Sequence, residues 1–252
     1  MSYEGFHPFR SPVPFPHPGY IEDAQRRVRV LFGGQYIVDT QQAMLGWEQP
    51  YYPSYFFHSS DLPERFLSNP KQIEKSTTYD LVVGDRTARA AVTVRHEGDF
   101  KDLVKIAFDK VDAWLEEDEE ISFHPKDPYK RIDVRQSSRH VRIEIDGVEL
   151  ANTNKPRLLF ETGLPVRTYI PKGDVRLEHL SHSTLTTGCP YKGVANYYDV
   201  NFPSGKKEGL AWWYRTAFLE SAGINGYIAF LDEKVDVFVN GQLAERPKPL
   251  FS

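Results

Sequence analysis

Two stretches of this chain repeat each other without a gap. Arg26-Arg27-Val28-Arg29-Val30 lies over Arg139-His140-Val141-Arg142-Ile143 at an offset of 113 residues, and the register runs on to Leu62 over Val175. Along it Arg26 meets Arg139, Val28 meets Val141, Arg29 meets Arg142, Gly34 meets Gly147, Thr40 meets Thr153, Leu45 meets Leu158, Glu48 meets Glu161 and Asp61 meets Asp174. Further on, an offset of 109 sets Thr77-Thr78 over Thr186-Thr187 and Gly84 over Gly193, and Ile106-Ala107-Phe108 and Val111-Asp112 recur as Ile228-Ala229-Phe230 and Val235-Asp236. A unit this long is of domain size, so each copy must bury a core of its own. The reading is two homologous domains, 25–122 and 135–248, joined by a linker, 123–134, whose Pro125 and Pro128 favour extended backbone. Ahead of them residues 1–24 form an arm. Its Pro12, Pro14, Pro16 and Pro18 are too many for a helix or an inner strand, and its Phe6, Phe9, Phe15 and Tyr20 predict that it lies across a domain surface.

Each repeat reads as strands. Val141, Ile143 and Ile145 alternate with Arg142 and Glu144, Asp146-Gly147 supplies a two-residue hairpin turn, and Val148 and Leu150 return. Asn240-Gly241 closes a second alternating run from Val235 to Val239. Short helical turns are expected after Asp61 and Asp174, each an acceptable cap. The acidic run Glu116 to Glu120 reads as a solvated connector. The expected fold class is all-β with few short helices. Duplicated chains commonly reproduce a homodimer's isologous contact within one polypeptide, which predicts a pseudo-twofold arrangement of the two domains.

Composition narrows the function. A chain with 40% hydrophobic and 26% charged residues has the make-up of a soluble globular protein. A net charge of -4 gives no global electrostatic reason to bind nucleic acid or an anionic membrane. No apolar run approaches the roughly 18 residues of a membrane span and the amino terminus lacks a signal peptide's apolar core, so the expected location is cytoplasmic. Cys189 is the only cysteine, which excludes an internal disulfide and a multi-thiolate zinc site. The histidines show no metal-binding spacing, and no metal site is expected beyond a magnesium ion shared by Glu161 and a ligand phosphate.

Phe160-Glu161-Thr162-Gly163-Leu164-Pro165, then Cys189-Pro190-Tyr191-Lys192-Gly193, then Phe230-Leu231-Asp232-Glu233-Lys234-Val235-Asp236 resemble the DUF427 family, sometimes labelled a nucleotidyltransferase-type domain. The linker from His124 to Val134, followed by Ser137-Ser138-Arg139-His140-Val141-Arg142, resembles the join in members with two such domains in tandem. The resemblance spans nearly the whole chain beyond the arm and is more specific in the second repeat. It implies small β domains of the β-tent or Mss4-like kind. It implies no demonstrated reaction and names no cofactor.

The candidate site residues fall in the second repeat. Glu161, repeated as Glu48, has two open readings: the partner of a repeated arginine (Arg139 and Arg142, or Arg26 and Arg29), or the polar wall of a pocket. Cys189 can be an inert half-buried thiol, a pocket wall or a nucleophile helped by Lys192. Its counterpart at the 109 offset is Asp80, and that of Lys192 is Val83. Lys192-Gly193 lacks the rest of a phosphate-binding loop, which leaves Lys192 as a point charge for an anion. Arg139, Arg142 and Arg167 would hold that anion, with Tyr191, Tyr197 and Trp212 beside it; Tyr169, Tyr198 and Trp213 complete the aromatic set, as core or as a stacking wall. Glu161, Cys189 and Lys192 are the catalytic candidates. The expectation is a pocket for an anionic, nucleotide-like small molecule, or a transferase-type enzyme on the same pocket. The rival is a protein-interaction module that uses Trp47, Tyr51, Tyr52, Tyr55, Phe56 and Phe57 of the first domain as an aromatic surface. Oligomeric state is not readable.

Overall fold

The computed structural model describes residues 16–202 and 205–247. The chain divides between Asp127 and Pro128 into two compact units. Residues 1–15, which hold most of the predicted arm, lie outside the described part.

The first unit has eleven strands: β1 (Ile21–Asp23), β2 (Val28–Phe32), β3 (Gln35–Thr40), β4 (Met44–Gly46), β5 (Ser54–His58), β6 (Leu67–Ile73), β7 (Ser76–Val83), β8 (Arg86–Arg95), β9 (Leu103–Ile106), β10 (Ala113–Glu116) and β11 (Glu119–Ile121). They form a seven-stranded sheet in the order β1-β4-β5-β9-β8-β7-β6 and a four-stranded sheet in the order β11-β10-β2-β3. The second unit has β12 (Ile132–Gln136), β13 (Val141–Ile145), β14 (Val148–Thr153), β15 (Arg157–Glu161), β16 (Arg167–Pro171), β17 (Leu180–Cys189), β18 (Gly193–Phe202), β19 (Gly205–Tyr214), β20 (Tyr227–Phe230), β21 (Asp236–Val239) and β22 (Gln242–Leu243). Their order, β12-β15-β16-β20-β19-β18-β17 and β14-β13-β21-β22, is that of the first unit strand for strand. The fold is all-β and duplicated.

Alternation places the core. Val141, Ile143 and Ile145 of β13 point one way and meet Ile170, Val200, Ala211, Ile228 and Phe230 of the larger sheet. Val28, Val30 and Phe32 do the same against Phe57, Leu81 and Val92 in the first unit. The residues between these, Leu159, Tyr169, Trp212, Tyr214 and Ala229, stand on the opposite face of the larger sheet and form a second apolar layer. That outer face is where the candidate site lies.

Several expectations change. The acidic run is not a free connector: its ends pair as β10 and β11, and Glu116 accepts hydrogen bonds from Arg26 and Tyr55. Short 3-10 turns do follow Asp61 and Asp174, but neither aspartate caps them; Asp61 accepts from the His58 amide at 3.1 Å and Asp174 from the Thr153 hydroxyl at 2.5 Å. In the first domain Trp47, Tyr55, Phe56 and Phe57 are core, not an aromatic surface; only Tyr51 and Tyr52 are exposed. Ile21–Asp23, at the end of the arm, pair with β4 as an edge strand.

The 109 offset is corrected by strand pairing. Tyr79 faces Val92 and Tyr198 faces Ala211, each just before a bulge, so β7 matches β18 at 119 residues. The true counterpart of Asp80 is therefore Asp199. Each carboxylate accepts the amide of a bulge residue with positive φ, Ala90 at 2.7 Å and Gly209 at 2.8 Å. The same pairings set Ile106 opposite Phe230 rather than Ile228. Asp199→Ala leaves the Gly209 amide buried without an acceptor and should lower stability by about 1–3 kcal/mol in urea unfolding. Lys206→Ala, which removes the half-exposed partner and leaves the hydrogen bond from Gly209 to Asp199 in place, should cost less than Asp199→Ala.

Candidate functional site

The hairpin between β17 and β18 is longer than its counterpart. In the first domain Ile73 pairs with Ser76 across a tight turn, whereas in the second the equivalent pair, Thr187 and Ala195, is followed by a further stretch, Gly188 to Val194. Cys189 and Lys192 sit on this extension, so neither has a counterpart in the first repeat. Gly193, at φ 90°, packs close to the Thr216 carbonyl and the Phe218 ring, and the Phe218 amide donates to the Lys192 carbonyl at 3.4 Å. The extension is thereby fixed against the chain that follows β19.

Held so, Lys192 places its ammonium on the carboxylate of Glu161, at the end of β15. The two side chains are only 13% and 7% exposed. They border a cavity of about 430 Å³ on the outer face of the larger sheet. Leu159, Leu164, Pro165 and Leu231 supply its apolar walls, and Tyr169, Tyr197, Trp212 and Tyr214 its aromatic ones. Trp212 donates from its indole to the Tyr169 hydroxyl at 3.1 Å, and Tyr197 shares a hydrogen bond with Thr187 at 3.0 Å, so both rings are held at their polar ends. Burial pushes the phenol pKa values of Tyr169 and Tyr214 up, and both stay protonated.

A second ion pair lines the same cavity. Arg167 donates to both oxygens of Glu233, at 3.0 and 2.5 Å, and lies 5.8 Å from the Trp212 ring. Asp232 is the third group at this guanidinium, 3.6 Å away. Burial, the largest effect, together with the charge of Glu233 raises its pKa to about 7 against the pull of Arg167. The arginine loses that contest because its fork is committed to Glu233.

Glu161, Lys192, Arg167, Tyr197 and Trp212 thus meet at one cavity. Other candidates do not. Arg142 pairs with Glu144 on its own strand and lies over the Phe238 ring at 4.2 Å. Arg139 lines a different cavity. The pairing of a repeated arginine with Glu48 or Glu161 is not formed: Glu48 takes Arg95 and Lys105, and Arg26 takes Glu116. Tyr191 is buried, its carbonyl accepting from the Ser221 hydroxyl at 3.2 Å. Cys189 is a half-buried free thiol, and no hydrogen bond from a histidine reaches it among the described residues. Sequence reasoning gave no role to Glu233 and Lys234, although both stand in the motif that carried the resemblance. Among the described residues there is no group of three or more His, Cys, Asp or Glu side chains placed to hold a metal ion. No helix among them is long and apolar enough to cross a membrane.

The first domain keeps the carboxylate and changes its surroundings. Glu48 is held by Arg95 of β8 and Lys105 of β9, at the positions of Tyr214 and Ala229, so two cations cross the face that aromatic and small residues line in the second domain.

No curated protein matches the chain. Residues 20–117 and 133–241 each match the model of one family, described as a domain of unknown function (DUF427). With those two matches covering most of the chain and the strand order repeated in full, the protein belongs to the DUF427 family and carries the domain twice.

Proposed function

We propose that the second domain binds a small molecule in the cavity between the extended hairpin and the outer face of its larger sheet. The ligand has a flat body that lies against Trp212 and Tyr197 and an anionic group, phosphate or carboxylate, drawn to Lys192; a nucleotide-like compound has both. The observation that carries this reading is the placement of Lys192 on an extension peculiar to the second repeat, reaching a buried glutamate that both repeats keep. An ion pair this well covered stabilises a fold little compared with apolar packing, so its presence beside an aromatic-lined cavity is better explained by recognition. Around the cavity three cations, Arg167, Lys192 and Lys234, face two carboxylates, Glu161 and Glu233, which leaves the balance in favour of an anion. Glu161 supplies an acceptor for a ligand hydroxyl or amine and an oxygen for a magnesium ion that a phosphate brings with it.

Thermal unfolding of the full chain against nucleotides, sugar phosphates and small carboxylates, with and without magnesium, tests the reading. A ligand at 100 times its Kd adds roughly 2.7 kcal/mol, a rise of several degrees in Tm. The expected result is a selective rise that Lys192→Ala abolishes. A flat panel would withdraw the small-molecule reading and shift weight to a protein partner.

A further inference from the structure

A second cavity in the second domain, of about 190 Å³, is separate from the one just described and has Arg139, Thr168, Asp232, Val237, Val239 and Glu245 in its wall. Its meaning comes from the first domain, where the same positions are filled. Strand pairing fixes the equivalences. Trp114 and Glu116 of β10 face Val30 and Val28, as Val237 and Val239 of β21 face Ile143 and Val141. Tyr55 faces Leu45 as Thr168 faces Leu158. Phe108 and Asp232 each stand two residues beyond the last residue of equivalent strands.

In the first domain these side chains make one filled unit. The rings of Tyr55 and Phe108 stack on Trp114 at 6.0 and 5.1 Å. Glu116 accepts from Arg26, and its other oxygen accepts from the Tyr55 hydroxyl at 2.8 Å. In the second domain Tyr55, Trp114 and Glu116 are replaced by Thr168, Val237 and Val239, which removes two rings and the carboxylate together. Arg26 is retained as Arg139, whose guanidinium has no carboxylate partner among the described residues. Asp232 is buried there too, and its Oδ1 has no hydrogen-bond partner. Arg139 is an exposed residue in the cavity wall, so its guanidinium carries no burial cost and stays available to an anion.

We infer that this cavity is a binding site for a small aromatic carboxylate, the ligand's ring taking the space of Tyr55 and Trp114 and its carboxylate the place of Glu116 on Arg139. Asp232 then supplies the acceptor for a hydroxyl on the ring. One domain carries as side chains what the other leaves to a ligand. The inference does not rest on the reading of the Lys192 cavity, although Asp232 stands 3.6 Å from Arg167 in the wall of that cavity.

Titration calorimetry of the full chain with 4-hydroxybenzoate, and with its uncharged amide, decides it. The acid should bind saturably, and the amide at least about tenfold more weakly, the size of one charge-assisted hydrogen bond. Arg139→Gln should reduce acid binding to the level of the amide, and Thr168→Tyr, which puts a ring back, should abolish it. Absence of saturable binding by the acid, or binding that survives Arg139→Gln, would overturn the inference without touching the Lys192 cavity.

Discussion

Lys192→Met should destabilise the protein by about 3–5 kcal/mol, because it leaves the Glu161 carboxylate buried with no counter-charge. The size follows from exposure: with side chains 13% and 7% accessible, the pair has little water to fall back on. A surface pair such as Lys75 with Glu97, both more than half exposed, would change by less than about 1 kcal/mol under the same substitution. The two effects can be told apart by a cycle. If Lys192→Met is combined with Glu161→Leu, both charges go and the apolar neighbours Leu159, Leu164 and Pro165 gain a side chain to pack against. The double variant should return to within about 1 kcal/mol of the parent in urea unfolding. A single variant as stable as the parent would mean that Glu161 reaches water, and the cavity described around it would lose its buried polar edge.

Asp232→Asn should stabilise the protein at pH 8 and leave it nearly unchanged at pH 4. An unfolded aspartate ionises near 3.8, whereas the fold keeps Asp232 protonated up to about 7. Between those values the folded state holds more protons than the unfolded one. The contribution of Asp232 is therefore fully present below about pH 4 and lost as pH rises to about 7. A shift of about three units corresponds to on the order of 4 kcal/mol. Asparagine cannot ionise, so the variant avoids the cost of a charge in this buried position. Carboxylates held low, such as Glu48 and Glu233, change stability in the opposite sense, against burial, through their cationic partners. The difference between parent and variant cancels them. A difference that stays constant from pH 4 to pH 8 would mean that Asp232 is ionised throughout and that Arg167 holds it.

The duplication was legible because the ungapped register from Arg26 to Leu62 covers the strands that need identical spacing: β2 through β5 match β13 through β16 at one offset. Past that point loop lengths differ, and identity alone misled. Thr77-Thr78 and Thr186-Thr187 agree in residue type but stand on different strands of their sheets. The bulge aspartates, Asp80 and Asp199, were the better guide, since a carboxylate at the same bulge does the same work in both domains. Lys192 was legible as a charge beside a glycine, but its partner was not, because Glu161 is brought to it by sheet topology across 31 residues. Arg139 and Arg142 looked like a pair in sequence. One lines a cavity and the other is held by Glu144, and no local pattern distinguishes them.

The most direct test of the account is a residue-resolved one: amide chemical shifts of the isotope-labelled full chain, followed as the ligand that gives the largest thermal shift is added. Binding at the Lys192 cavity should give saturable changes confined to Leu159–Tyr169, Lys192–Tyr197, Trp212–Tyr214 and Leu231–Lys234, with the residues around Glu48 unmoved. Changes centred on Glu48, Arg95 and Lys105, or spread without saturation over both domains, would contradict it.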